Sequence, residues 1–170
     1  MIEALQLTGG EKVLEIGGGS GYAAAVLARI ADHVFTIERL PELASRAQMN
    51  LAAAGARNVT VRCADGTQGW PEEAPFDAIL VSAGAPEVPR PLLDQLKVGG
   101  KLVIPVGSFF QDLLVYTRTA TGIERKNVAR RPRPVDAGVA VLQRTRRRLS
   151  VHGQRPIFCP TRYARRHGVA

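Results

Sequence analysis

The chain has 170 residues, of which 45% are hydrophobic, with two cysteines and a net charge of +8. This length suits one domain with its own core, and two cysteines far apart in the chain give no support for a disulfide framework. We expect neither a signal peptide nor a membrane segment, and therefore a cytoplasmic protein, because no apolar run approaches spanning length. The charge is uneven: residues 1–128 carry twelve basic and fourteen acidic residues, whereas residues 129–170 carry eleven arginines and one acid.

Residues 1–128 alternate between short apolar runs and helical patterns. A short helix within residues 1–7 is predicted to end at Thr8-Gly9-Gly10. The later elements are predicted as strand 12–16, helix 22–31, strand 33–38, helix 41–55, strand 58–65, loop 69–75, strand 76–81, helix 92–96 closed by residues 98–100, strand 101–106, and a hairpin of 111–118 and 123–128. Alternating strands and helices predict a parallel sheet with right-handed crossovers, and the closing hairpin is antiparallel.

A glycine-rich turn, Gly17-Gly18-Gly19-Ser20-Gly21, joins the first predicted strand to the helix that begins at Tyr22. Glycines allow positive φ and let a ligand lie against the main chain without meeting a Cβ atom. The free N–H groups at a helix N-terminus point toward such a ligand. The turn therefore predicts a nucleotide-type cradle, with a simple tight strand–helix turn as the alternative.

The spacing of these glycines discriminates between cofactors. The dinucleotide fingerprint G-x-G-x-x-G requires a third glycine at the position that Tyr22 occupies here. Glu15, just before the turn, fits a cationic ligand better than a pyrophosphate. Both departures favour S-adenosylmethionine (SAM) over NAD. The candidate cofactor-binding residues of this segment are Glu15, Gly17, Gly19, Ser20, Gly21 and Tyr22.

Acidic or small residues also end the later parallel strands. Glu38 lies 17 positions beyond Gly21, near the offset at which an acid meets a ribose hydroxyl pair; a solvated strand-end glutamate is the alternative. Asp65, followed by Gly66, is placed to accept from an adenine amino group, or to form a common Asp-Gly turn. Ser82 begins a run of small residues after the fourth strand. Because ligands of parallel sheets bind beyond the carboxyl ends of the strands, we assign Glu38, Asp65, Gly66 and Ser82 to the same cofactor site.

Several motifs resemble those of the protein-L-isoaspartate O-methyltransferase family. They are Val13-Leu14-Glu15-Ile16-Gly17-Gly18-Gly19-Ser20-Gly21-Tyr22, Asp65-Gly66-Thr67 with Gly69-Trp70-Pro71, Phe76-Asp77-Ala78-Ile79, Ala85-Pro86-Glu87-Val88-Pro89, and Leu96-Lys97-Val98-Gly99-Gly100-Lys101-Leu102-Val103-Ile104-Pro105-Val106-Gly107. Many SAM enzymes share the glycine turn, but the Asp-Gly-Thr/Gly-Trp-Pro pairing and the Leu-Val-Ile-Pro-Val-Gly strand are more specific. The resemblance implies an α/β, Rossmann-like SAM-dependent methyltransferase fold, mostly parallel with a C-terminal antiparallel hairpin.

The resemblance also implies an activity: SAM-dependent methylation of the α-carboxylate of L-isoaspartyl residues in damaged proteins, as a repair step. A carboxylate with a pKa near about 3.5 is ionised at pH 7, so no general base is needed and we name no catalytic residue. We expect no metal site, isoaspartyl proteins or peptides as partners, and a monomer. The alternatives are another class I methyltransferase acting on a small molecule or RNA, and a non-enzymatic SAM-binding or nucleic-acid-binding module.

Two departures from the family pattern affect these expectations. Family members carry a substantial segment before the glycine turn, including an active-site loop with a hydroxyl residue, whereas here the turn's strand begins near Val13; we therefore expect low activity. After Val128 the sequence becomes arginine-rich instead of continuing as the family's closing strand. We predict a SAM-binding methyltransferase domain at 1–128 and a largely disordered tail at 129–170, with contacts to nucleic acid through that basic tail as the alternative. A frame-shifted reading frame would also produce such a tail.

Overall fold

The computed structural model of the protein describes residues 1–107 and 110–132. In chain order its elements are α1 (Ile2–Leu5), β1 (Lys12–Ile16), α2 (Tyr22–Leu27), β2 (His33–Glu38), α3 (Pro41–Ala53), β3 (Val59–Cys63), two 3-10 turns (Gly66–Gln68 and Pro71–Glu73), β4 (Phe76–Val81), α4 (Arg90–Asp94), β5 (Leu96–Val106), β6 (Phe110–Arg118) and β7 (Ile123–Pro132).

The strands form a seven-stranded sheet in the order β3-β2-β1-β4-β5-β6-β7. Strands β1 to β5 pair in parallel, and β6 and β7 pair antiparallel to their neighbours. The chain moves outward from β1 through β2 to β3 and then returns to β4 on the other side of β1. This reversal makes the carboxyl ends of β1 and β4 the switch point at which open parallel sheets bind ligands. The predicted α/β fold, mostly parallel with an antiparallel C-terminal hairpin, is confirmed.

Both faces of the sheet are covered, which explains why its central strands read as nearly continuous apolar runs. On one face Leu14 and Ile79 pack with Leu92 of α4. On the other face Val13 and Leu80 pack with Leu27 of α2 and Leu51 of α3. All of these side chains are at most 4% exposed, and burying each contributes roughly 1.5–3 kcal/mol. The two cores hold the strand ends of the site in fixed relation.

Helix α2 is shorter than the sequence predicted, since it ends at Leu27 rather than at residue 31. The side-chain amide of Asn58, just before β3, lies at the end of this helix. It donates to the carbonyl oxygens of Ala28, Ala31 and Asp32 at 3.0–3.1 Å. The chain can therefore leave the helix early because a side chain 27 residues away satisfies the carbonyls of the turn that follows.

Strand β5 begins five residues earlier than predicted, at Leu96, and the prediction that residues 98–100 only close the preceding helix is wrong. Pairing with β4 is interrupted between Phe76 and Ala78. Gly99, with φ of +85°, lies in the part of β5 that forms this irregularity. Gly99 thus marks a bulge inside the strand, because glycine tolerates the left-handed backbone found there.

Strand β7 continues to Pro132, four residues past its predicted end at Val128. The rest of the arginine-rich tail, residues 133–170, lies outside the described residues, so its predicted disorder and nucleic-acid binding remain predictions. Among the described residues no helix is long and apolar enough to cross a membrane. A cytoplasmic location and a monomeric state remain predictions from the sequence.

Candidate functional site

The glycine turn after β1 is anchored to the end of β2. The backbone N–H groups of Gly17 and Gly18 both donate to the carbonyl oxygen of Ile37, at 2.8 and 3.1 Å, and Gly21 N–H donates to Gly18 O at 2.8 Å. Gly17, Gly19 and Gly21 have φ of +86°, +53° and +86°, which only glycine adopts readily. A Cβ atom added at Gly19 would meet nothing within 4 Å. The turn is therefore held by hydrogen bonds to the end of β2, and the space next to Gly19 is free for a ligand.

The other glycines of the turn are required by close packing. A Cβ atom at Gly18 would lie 2.4 Å from Thr36 Oγ1, and one at Gly21 would lie 3.2–3.3 Å from Leu51 and Ala47 of α3. Neither Gly18 nor Thr36 was among the site residues predicted from the sequence. The signal for Thr36 was its hydroxyl group within the otherwise apolar middle of β2, and it is fully buried.

Glu38, at the end of β2, is tied to the turn. Its side chain is 2% exposed, and its two carboxylate oxygens accept from separate backbone N–H groups, Oε2 from Gly19 and Oε1 from Leu40, both at 2.9 Å. The alternative interpretation of Glu38 as a solvated strand-end residue is wrong. The carboxylate has a defined position beside the open surface of Gly19, and each of its oxygens retains a lone pair for a further donor.

Glu15 lies fully buried beneath the turn. Its Oε2 accepts from the Thr36 hydroxyl at 2.8 Å, and its Oε1 accepts from the Ser82 hydroxyl at 3.1 Å. Burial raises the pKa of Glu15 to about 7; the two hydroxyl groups oppose this rise and the nearby charge of Glu38 adds to it. In the folded chain, therefore, Glu15 holds a proton much more readily than an ordinary glutamate does.

Asp65 and Gly66 follow β3 at the same edge. Asp65 is exposed, and its Oδ1 accepts from Thr67 N–H at 3.0 Å, so the residue does form the turn that was its alternative interpretation. A Cβ atom at Gly66 would lie 2.4 Å from Ile16 Cγ2. Glycine is required here because the backbone after β3 passes directly over the carboxyl end of β1.

Ser82 connects the ends of β1 and β4: its N–H donates to Ile16 O at 2.8 Å, and its hydroxyl contacts Glu15. A cavity of about 370 Å³ lies next to it, lined by Met1, Ile2, Glu3, Ala23, Leu80 and Ser82.

Ser20 and Tyr22 lie further out. The Ser20 carbonyl accepts from Asn50 Nδ2 at 2.8 Å, and Tyr22 is 77% exposed. The structure thus joins Glu15 to Ser82 and Gly19 to Glu38, and places Tyr22 on the surface.

Comparison with known proteins extends this picture. The family model described as Protein-L-isoaspartate(D-aspartate) O-methyltransferase (PCMT) matches residues 1–132. A protein-L-isoaspartate O-methyltransferase 1 from Syntrophobacter fumaroxidans is 56% identical over 129 residues, which cover 75% of this chain and 60% of the relative. A protein-L-isoaspartate O-methyltransferase from Brucella anthropi is 58% identical over 123 residues, which cover 71% and 57% of the two chains. The chain therefore spans about 60% of the length of these relatives.

Solved structures agree with the sequence relatives. One protein-L-isoaspartate O-methyltransferase superposes with a TM-score of 0.71 at 33% identity, over 76% of this chain and 43% of that one. A β-aspartate methyltransferase (PCMT) from Plasmodium falciparum, in complex with S-adenosyl-L-homocysteine, superposes with a TM-score of 0.60 at 27% identity, over 75% and 65% of the chains. With the glycine turn, the acidic strand ends and these matches together, the chain belongs to the protein-L-isoaspartate(D-aspartate) O-methyltransferase family.

Proposed function

We propose that the chain binds SAM at the carboxyl edge of the sheet and transfers its methyl group to the α-carboxylate of L-isoaspartyl residues. The observation that carries the cofactor assignment is the contact between Gly19 N–H and the Glu38 carboxylate, beside open space over Gly19. The solved Plasmodium falciparum relative, which holds S-adenosyl-L-homocysteine (SAH), supports this assignment.

The residues at this edge fit such a cofactor. The open backbone at Gly19 admits a ligand against the main chain. The Glu38 carboxylate is held by two amides at 2.9 Å, and its remaining lone pairs suit the two hydroxyl groups of a ribose. In the exposed Asp65 carboxylate, Oδ1 accepts the hydrogen bond of the residue's own turn, and that hydrogen bond does not involve Oδ2. We assign the Asp65 carboxylate to the adenine amino group.

The other candidates line the same edge. We assign Gly17, Gly21 and Gly66 to the shape of the cradle, since each has a neighbour within 3.3 Å of an added Cβ atom. The remaining proposed cofactor-binding residues are Glu15, Ser20, Tyr22 and Ser82. Within the part of the chain that the structure describes, no group of three or more His, Cys, Asp or Glu side chains is arranged to hold a metal ion.

The proposed chemistry asks little of acid–base catalysis. SAM supplies an electrophilic methyl group, and the acceptor α-carboxylate is already ionised near neutral pH. The task of the chain is to hold the cofactor and the acceptor in line, and such positioning is worth up to about 7–11 kcal/mol. The acceptor is proposed from family membership and from the names of the relatives, of which this chain spans about 60%.

A methyl-transfer assay tests the proposal. Labelled SAM is offered with two peptides that differ only in one L-isoaspartyl or L-aspartyl residue, and base-labile methyl ester is counted. We expect label only on the isoaspartyl peptide. The variant Glu38→Gln should lower the signal at subsaturating SAM, whereas Glu42→Gln, an exposed glutamate of α3, serves as the matched control. RNA and small carboxylic acids are offered to the chain in parallel reactions. Label on either of them but not on the isoaspartyl peptide would contradict the proposed acceptor.

A further inference from the structure

Gln95, between α4 and β5, is a buried polar residue that the proposed cofactor contacts do not use. Its side chain is 8% exposed. Its Oε1 accepts from Trp70 N–H at 2.8 Å and its Nε2 donates to Gln68 O at 2.8 Å. Both partners belong to the loop that leads from β3 to β4, more than 20 residues earlier in the chain. The amide therefore binds two backbone groups of one loop at once.

Gly69 lies between these two backbone groups, and its conformation is adapted to the amide. It has φ of 63° and ψ of −146°, a combination that is essentially restricted to glycine. A Cβ atom there would lie 2.2 Å from Gln95 Oε1. The Gln95 side chain thus occupies the space that any larger residue at position 69 would need. The conformation of residues 68–70 and the Gln95 side chain are therefore complementary.

The same loop is continuous with Asp65. Thr67 N–H donates to Asp65 Oδ1 at 3.0 Å, and Gly69 N–H donates to Gly66 O at 3.1 Å. One end of this turn rests on Ile16 through Gly66. The other end is held by Gln95. Without the two Gln95 hydrogen bonds, this end of the loop keeps only local hydrogen bonds of about 1 kcal/mol each, and the Asp65 carboxylate is then held less firmly.

We propose that Gln95 is a positioning residue for recognition of the cofactor's base: by holding residues 68–70 it aims the Asp65 carboxylate at the adenine amino group. This inference rests on the proposed function, in which SAM lies at this edge with Asp65 on the adenine. The competing role for Gln95 is purely structural, a tie between α4 and the loop that stabilises the fold without affecting which base is bound.

The two roles are separated by a ligand pair that differs only in the base. SAH carries the 6-amino group of adenine, whereas S-inosyl-L-homocysteine carries an oxygen there, which a carboxylate repels. Calorimetry with the full chain measures the ratio of the two dissociation constants. We expect the wild-type chain to prefer SAH at least about tenfold, as for a hydrogen bond to a charged group. The variant Gln95→Met, which keeps the volume and loses both hydrogen bonds, should reduce that preference to about threefold or less.

Two further variants make the result decisive. Gln95→Glu keeps the acceptor for Trp70 N–H, but its second carboxylate oxygen cannot donate to the Gln68 carbonyl and is repelled by it. If Gln95→Met does not fold, Gln95→Glu should reduce the preference for SAH instead. Gln48→Met makes the same change on the exposed side of α3 and should leave the preference unchanged. In an Asp65→Ala background, Gln95→Met should have no further effect on the ratio.

Each outcome bears on a different statement. A folded Gln95 variant that binds both ligands more weakly by the same factor, or binds them as the wild type does, overturns the positioning role. A wild-type chain with no preference between the two bases overturns the adenine role of Asp65, and the inference with it. A wild-type chain that binds neither ligand overturns the proposed function itself.

Discussion

The buried carboxyl group of Glu15 should make the stability of the fold depend on pH. Its pKa is raised from 4.5 to about 7, first by burial. A group whose pKa is higher in the folded chain binds more protons there. Its contribution to the free energy of unfolding is therefore fully present below pH 4.5 and is lost as the pH rises through about 7. At about 1.36 kcal/mol for each unit by which the pKa is raised, the free energy of unfolding falls by about 3 kcal/mol.

The variant Glu15→Gln removes this titration with little change in shape. The amide oxygen can accept from one of the two hydroxyl groups that Glu15 contacts, and its NH₂ group can donate to the other. We expect equal stability of the variant and the wild type near pH 4.5 and a variant about 3 kcal/mol more stable near pH 8.

Urea denaturation of both chains between pH 4.5 and 8.5 measures this difference. The variant Glu42→Gln, an exposed glutamate, should track the wild type at every pH. If the free energies of unfolding of the wild type and of Glu15→Gln run parallel across this range, Glu15 does not titrate in the folded chain and the electrostatic account of the site is wrong.

Three further substitutions test separate contacts. Gly18→Ala should destabilise the fold by about 1–3 kcal/mol in urea denaturation, because the new methyl group would lie 2.4 Å from Thr36 Oγ1; an unchanged midpoint would contradict the packing argument. Glu38→Ala should weaken SAH binding at least tenfold in calorimetry, since hydrogen bonds to a charged acceptor are worth about 1.5–3 kcal/mol, and equal affinity would refute the ribose assignment. Asn58→Ala should cost about 1–2 kcal/mol of stability, with the loss of three hydrogen bonds to the segment after α2, and a loss below about 0.3 kcal/mol would argue against that role.

Much of the fold is predictable from local sequence. Strands β1, β2 and β4 have the predicted bounds, because each is an apolar run bounded by glycine or charged residues or, for β4, by a proline before it and small residues after it. The family resemblance identified from the glycine turn and the later motifs is confirmed by the family match over residues 1–132.

The features that the sequence did not predict share one physical cause, which is contact between segments that lie far apart in the chain. The end of α2 depends on the Asn58 amide, 27 residues beyond Ala31. The start of β5 depends on an irregular pairing with β4. Gln95 looks like an ordinary residue at a helix end, and its importance comes from the loop it binds. Local periodicity contains no information about such partners.

The most direct test of the account is a crystal structure of the chain with SAH. We expect the ribose hydroxyl groups within hydrogen-bonding distance of the Glu38 carboxylate, the adenine amino group at Asp65, and the ligand lying against the backbone at Gly19. SAH bound at any other part of the sheet, or bound here with Glu38 still contacting only Gly19 and Leu40, would contradict it.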